Sequence, residues 1–127
     1  MFYLSEGARD LELAKCGKWM YFFEDSAFAA KVCREAVETD VVVESKHTDG
    51  PDGVCCFYLN GDDMAAHKRT LQFFLDNGLI AKTKAGRLYN ISFKYDDQTR
   101  AGEYGDQFVG KITLDQFLNL DTGEWIV

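Results

Sequence analysis

The run Gly17-Lys18-Trp19-Met20-Tyr21-Phe22-Phe23 constrains the fold more than any other stretch of the chain. Successive side chains of a strand point to opposite faces. A strand over this run therefore carries rings on both faces, with Trp19, Tyr21 and Phe23 on one and Phe22 on the other. Bulky rings favour extended backbone, and a run that is apolar on both faces suits the centre of a sheet.

Helix chemistry follows at once. Glu24-Asp25-Ser26 supplies an N-cap oxygen from Asp25 or Ser26. From there to Thr39, the residues Phe28, Ala29, Val32, Cys33, Ala36 and Val37 recur at helical spacing, which predicts one amphipathic helix against a sheet. The β-branched run Val41–Lys46 predicts a second strand, His47–Gly53 a turn holding the single proline, and Val54–Leu59 a third strand antiparallel to the second. Asn60-Gly61-Asp62-Asp63 opens a second helix running to about Asn77. Its stripe is Met64, His67, Leu71, Phe74 and Leu75, with Gly78 as the residue that ends it. Leu88–Phe93 alternates as a fourth strand, Thr113–Asn119 reads as a short helix capped by Thr113, and Glu124–Val127 as a terminal strand or tether. The order β-α-β-β-α-β with a mixed tail is α+β. The expected architecture is a curved, mostly antiparallel sheet with helices packed on one face, in a single domain over 1–127 with residues 1–16 as a lead-in.

Composition bounds the function classes. An apolar fraction of 46% and an aromatic fraction of 14% argue for a packed core and against disorder. Twenty-one acidic residues against 14 basic ones give a formal charge of −7, which disfavours bulk double-stranded nucleic acid as a partner. No stretch reaches the ~18 apolar residues of a membrane span. The opening Met1–Glu6 lacks the basic start of a signal peptide, so no membrane and a cytoplasmic location are expected. Cys16, Cys33, Cys55 and Cys56 contain no C-x-x-C, and vicinal Cys55-Cys56 in a strand point to opposite faces. Four reduced thiols are expected, and neither a metal site nor a cofactor.

Two polar constellations stand out. Phe93–Gly105 follows a strand and holds Lys94, Asp96, Thr99, Arg100 and Tyr104. Lysine and arginine at a strand end bind phosphate or carboxylate, and Thr99 and Tyr104 add hydroxyl donors. The same residues also suit a polar turn in which Asp96 caps a helical turn and the cations are solvated. Lys46-His47 lies at another strand end and suits either an acid–base pair or ordinary surface. His67 reads as a packed helix residue. Trp19, Tyr21 and Trp125 suit either a ring-lined pocket or the core. No phosphate-loop, dinucleotide, nucleophile-elbow or zinc-protease motif occurs.

Taken together, these segments resemble the Bles03-like proteins, domain-of-unknown-function family 1917. Gly17–Phe22 is similar to that family's opening strand, Ser45–Thr48 falls at its strand ending in Lys with a Ser/Thr loop, and Phe93–Tyr104 resembles its K-x-D-x-x-T-x-A-G-x-Y segment. The resemblance covers about residues 17–105 and leaves 106–127 as a C-terminal extension. It implies the fold of the cap-binding translation initiation factor 4E, a curved antiparallel sheet backed by helices. It does not imply cap binding, which needs two tryptophans sandwiching a methylated base with an acidic partner, whereas of the two tryptophans here, Trp19 and Trp125, Trp19 falls in an expected central strand.

Three functions are weighed. The first is a binding module for a phosphate-bearing or anionic ligand, a nucleotide or RNA end among them, held by Lys46, Lys94, Asp96, Thr99, Arg100 and Tyr104. The second is a phosphate-directed enzyme for elimination or phosphoryl chemistry, with Lys46 as base, His47 as acid and Arg100 as clamp. The third is an acidic protein-interaction or inhibitor factor presenting Glu35, Glu38, Asp40, Asp62 and Asp63 on one face.

Overall fold

The computed structural model describes residues 2–4, 16–95 and 112–127. In chain order these form β1 (Phe2–Leu4), β2 (Cys16–Phe23), α1 (Ser26–Glu38), β3 (Glu44–His47), β4 (Gly53–Asn60), α2 (Met64–Asp76), β5 (Ser92–Tyr95) and β6 (Ile112–Thr113), followed by a 3-10 turn over Leu114–Gln116. The strands make one antiparallel sheet in the order β1-β3-β4-β2-β5-β6. The expected α+β class is what forms.

β2 is an interior strand, paired over its whole length with β4 and at its start with β5. Its register sets the two faces of the sheet. Trp19 opposes Phe57 and Tyr21 opposes Cys55, on the face that packs against the helices. Trp19, Phe57 and Phe74 are fully buried, and each buried Phe is worth roughly 2–3 kcal/mol of transfer free energy. Phe57 and Phe74 meet edge to face with centroids 5.2 Å apart, while Phe57–Phe73 and Trp19–Phe93 are tilted pairs.

Both helices begin where cap chemistry placed them. The Asp25 carboxylate accepts from the amides of Ala27 and Phe28, and Asp63 accepts from Ala66. α1 buries Ala29, Val32, Cys33, Ala36 and Val37, a single stripe facing the sheet. α2 ends at Asp76, and Gly78 follows at φ 66°, a backbone geometry that costs glycine little. Met64, expected in the apolar stripe, is 55% exposed, and Ala66 and Thr70 are buried in the stripe instead.

Four segments differ from expectation. The second strand begins at Glu44 rather than Val41, because the amides of Val41 and Val42 both donate to the carbonyl of Ala36 and wrap the end of α1. The strand expected over Leu88–Phe93 lies at Ser92–Tyr95. Leu88 instead bridges Lys82 and donates its amide to Leu120. The lead-in contributes β1, which pairs Phe2, Tyr3 and Leu4 with Lys46, Ser45 and Glu44. The expected helix over Thr113–Asn119 is one 3-10 turn, after which Leu118 and Trp125 form an antiparallel bridge.

Candidate functional site

The face of the sheet opposite the helices collects its cations by register. Glu44 opposes Tyr58, Tyr58 opposes Lys18, and Lys18 opposes Lys94, which makes one row across four strands. In the next row Lys46 opposes Cys56, which opposes Met20. Lys18, Lys46 and Lys94 thus rise from three strands on one side of the sheet, all directed away from Trp19 and Phe57.

Tyr58 is the platform of this group. It is 5% exposed, and the Lys46 ammonium stands 5.7 Å from its ring centroid, within cation–π range. Cys56, beside it, lies within the fields of two of the lysines. Burial pushes its thiol up, while Lys18 and Lys46 both pull the other way. Lys94 is exposed, and Lys18 and Lys46 are half-buried. Three strand spacings separate the backbones at Lys46 and Lys94, about 14 Å, with Lys18 in between. The three ammonium groups therefore suit a ligand with several anionic oxygens rather than a single ion.

A close approach of backbones holds Lys94 in this row. A Cβ on Gly17 would stand 2.5 Å from the Lys94 carbonyl oxygen and 2.6 Å from the Phe93 ring. Glycine therefore lets β5 lie close against β2.

Of the residues expected at the site, Lys46 and Lys94 come to one face. Asp96, Thr99, Arg100 and Tyr104 lie outside the described residues. His47 does not join Lys46. It follows Lys46 in β3 and so projects to the helix side, with its ring edge-on to Phe23 at 6.2 Å and its Nδ1 3.0 Å from the Thr48 carbonyl. Two side chains on opposite faces of a sheet cannot work on one substrate as base and acid, so this geometry gives the pairing no support. Trp19, weighed as a pocket wall, is 0% exposed and belongs to the core. Tyr21 packs edge-on to Phe28 at 6.1 Å, and burial raises its hydroxyl. His67 is buried between Trp19 and the Gly61 carbonyl.

Lys18 was not among the residues singled out from the sequence. The signal was there: in a strand that buries Trp19, the preceding lysine must face the other way. The acidic residues weighed for mimicry are interleaved with basic ones. Arg34 lies 3.9 Å from Glu38, Arg69 reaches the Val41 carbonyl next to Asp40, and Asp63 is engaged in capping α2. Among the described residues no group of three or more His, Cys, Asp or Glu is placed to hold a metal, and no helix is long and apolar enough to cross a membrane. All four cysteines are free thiols.

Compared with known protein families, curated proteins and solved structures, the chain matches none.

Proposed function

We propose that this protein is a cytosolic binding module in which the sheet face opposite α1 and α2 takes a small phosphate-bearing ligand, a nucleotide or an RNA end. The observation that carries this reading is the row Tyr58–Lys18–Lys94, with Lys46 over Tyr58: three cations and a ring on one face of a chain whose formal charge is −7. Lysine ammonium groups pair with phosphate oxygens as point charges, and the buried Tyr58 ring beneath Lys46 helps to position that ammonium. The polar run after Lys94 adds Asp96, Thr99, Arg100 and Tyr104 as further ligand contacts on the chemistry of their side chains, and the resemblance to the Bles03-like family bears on the fold. The free thiols agree with a reducing compartment.

The reading is tested by titrating ATP, pyrophosphate and a 5′-phosphorylated dinucleotide while following backbone amide resonances. Shifts should cluster at Lys18, Lys46, Tyr58 and Lys94. Lys18→Glu and Lys94→Glu should each weaken binding by about tenfold, the loss expected for one charge-assisted contact turned repulsive. If none of the three ligands perturbs these strands, or if both charge reversals leave affinity unchanged, the proposal fails.

A further inference from the structure

The opposite side of the molecule carries a second recess. A cleft of about 710 Å³ lies where the end of α1, the outer face of α2 and the segment around Trp125 meet. That volume falls within the ~300–1,000 Å³ typical of small-molecule sites. Its apolar walls are Val41, Phe73 and Trp125, each partly buried and packed on the core. Its charged walls are Glu35 from α1 and Lys68, Arg69 and Asp76 from α2, the last hydrogen-bonded to Gln72.

Two features distinguish it from a shallow gap between helices. The first is a fixed ring. The Trp125 indole N–H donates to Gln72 Oε1 at 3.0 Å, and Gln72 Nε2 donates to Asp76 Oδ1 at 2.9 Å, so a hydrogen-bonded chain along α2 sets the indole plane. The second is unmet hydrogen-bonding capacity. Oε2 of Glu35 is shielded from solvent and accepts no hydrogen bond, a costly state for a carboxylate oxygen. On the facing wall Arg69 spends its Nε on the Val41 carbonyl at 3.4 Å. Among the described residues, neither Lys68 nor Arg69 forms an ion pair with Glu35 or any other acid. Acidic and basic side chains thus line one ring-walled cleft without pairing with each other.

We infer that this cleft binds a zwitterion with an aromatic body, of the aromatic amino acid class. The ligand's ammonium lies against the carboxylate of the partly exposed Glu35, its carboxylate accepts from Lys68 and Arg69, and its ring packs on Trp125 and Phe73. A purely cationic ligand would leave the two basic residues facing it, and a purely anionic one would face Glu35. Only a molecule bearing both charges complements both walls. The proposal is independent of the sheet face, which lies on the other side of the fold.

The test uses the two indole N–H resonances of the full chain. L-phenylalanine, at concentrations up to about 10 mM, a range suited to a ligand of this size in an open cleft, should shift the Trp125 indole signal. The Trp19 signal, from a core indole, should stay fixed and so serves as an internal reference. Glu35→Gln and Lys68→Ala, both on helix surfaces outside the core, should each weaken binding by about tenfold. Phenylacetate and 2-phenylethylamine, each lacking one charge, should bind weaker than the amino acid by a similar factor. The inference is overturned if the Trp125 signal does not move, if either single-charge analogue binds as well as phenylalanine, or if both variants retain full affinity.

Discussion

The indole N–H of Trp19 donates to Nδ1 of His67 across 3.0 Å, while Nε2 of the same imidazole lies 2.8 Å from the carbonyl oxygen of Gly61. One ring thereby joins the central strand to the turn that starts α2. Only the neutral tautomer with its proton on Nε2 satisfies both partners. The ring sits among Trp19, Phe93 and Phe117, with centroids 5.9, 4.8 and 5.5 Å away. Burial lowers the pKa of His67, opposed in part by the Gly61 carbonyl and by Asp63 and Asp62.

Stability should therefore depend on pH with a definite sign. The unfolded imidazole takes a proton below its ordinary value of about 6.5, and the folded one resists until lower pH. Between the two values the unfolded state binds more protons, so stability is full above about pH 6.5 and declines as pH falls through that window. Urea unfolding midpoints at a series of pH values should show this decline, and His67→Gln should flatten it.

The same substitutions separate hydrogen bonding from packing. A glutamine at position 67 can accept from Trp19 and donate to Gly61, whereas His67→Leu leaves a buried N–H and a buried carbonyl without partners. The leucine variant should lose about 2–4 kcal/mol of unfolding free energy, on the ordinary cost of two unsatisfied buried groups. The glutamine variant should lose less than half of that. Equal losses in the two would show that ring packing, not the hydrogen bonds, holds this position.

Gly17→Ala should affect both the fold and the sheet face. Its new methyl group meets the Lys94 carbonyl and the Phe93 ring, so β5 must move away from β2. Overpacking of this kind costs about 1–3 kcal/mol. Because Lys94 rides on β5, affinity for the phosphate ligand should fall together with the thermal midpoint. A variant that lost stability while keeping full affinity would remove Lys94 from the site.

Salt should discriminate the two recesses. Half-exposed lysines acting on a multiply charged ligand lose their attraction as screening grows. Pyrophosphate affinity should fall roughly fivefold or more between ~0.05 and ~0.5 M salt. Phenylalanine, carrying no net charge, should bind the cleft with much weaker salt dependence.

The legible parts of this fold are those with local causes. Trp19 and its neighbours marked an interior strand because a run of bulky rings favours extended, well-covered backbone, although Phe22, the ring on the second face, is 72% exposed. Asp25 and Asp63 marked helix starts because a carboxylate there completes orphan amides. The misplaced boundaries have distant causes. The valines at 41 and 42 favour extended backbone, yet their amides are taken by Ala36 of the preceding helix. Leu88 bridges Lys82 and gives its amide to the carbonyl of Leu120, which lies far along the chain. At the candidate site, Lys46 and Lys94 were readable as cations at strand ends. Lys18 escaped notice because its role depends on the pairing of β2 with both β4 and β5, and pairing is a property of the assembled sheet.

The two ends of the sheet have a further consequence. A sheet that does not close on itself leaves backbone donors and acceptors exposed along its outermost strands, where a foreign chain can add. Here those strands are β1, three residues long, and β6, two residues long. The long, ring-rich segments β2 and β4, which would template further growth most readily, are enclosed by neighbours. Among the described residues the chain thus keeps its stickiest backbone internal, and presents brief stubs to anything that would polymerise along its rim.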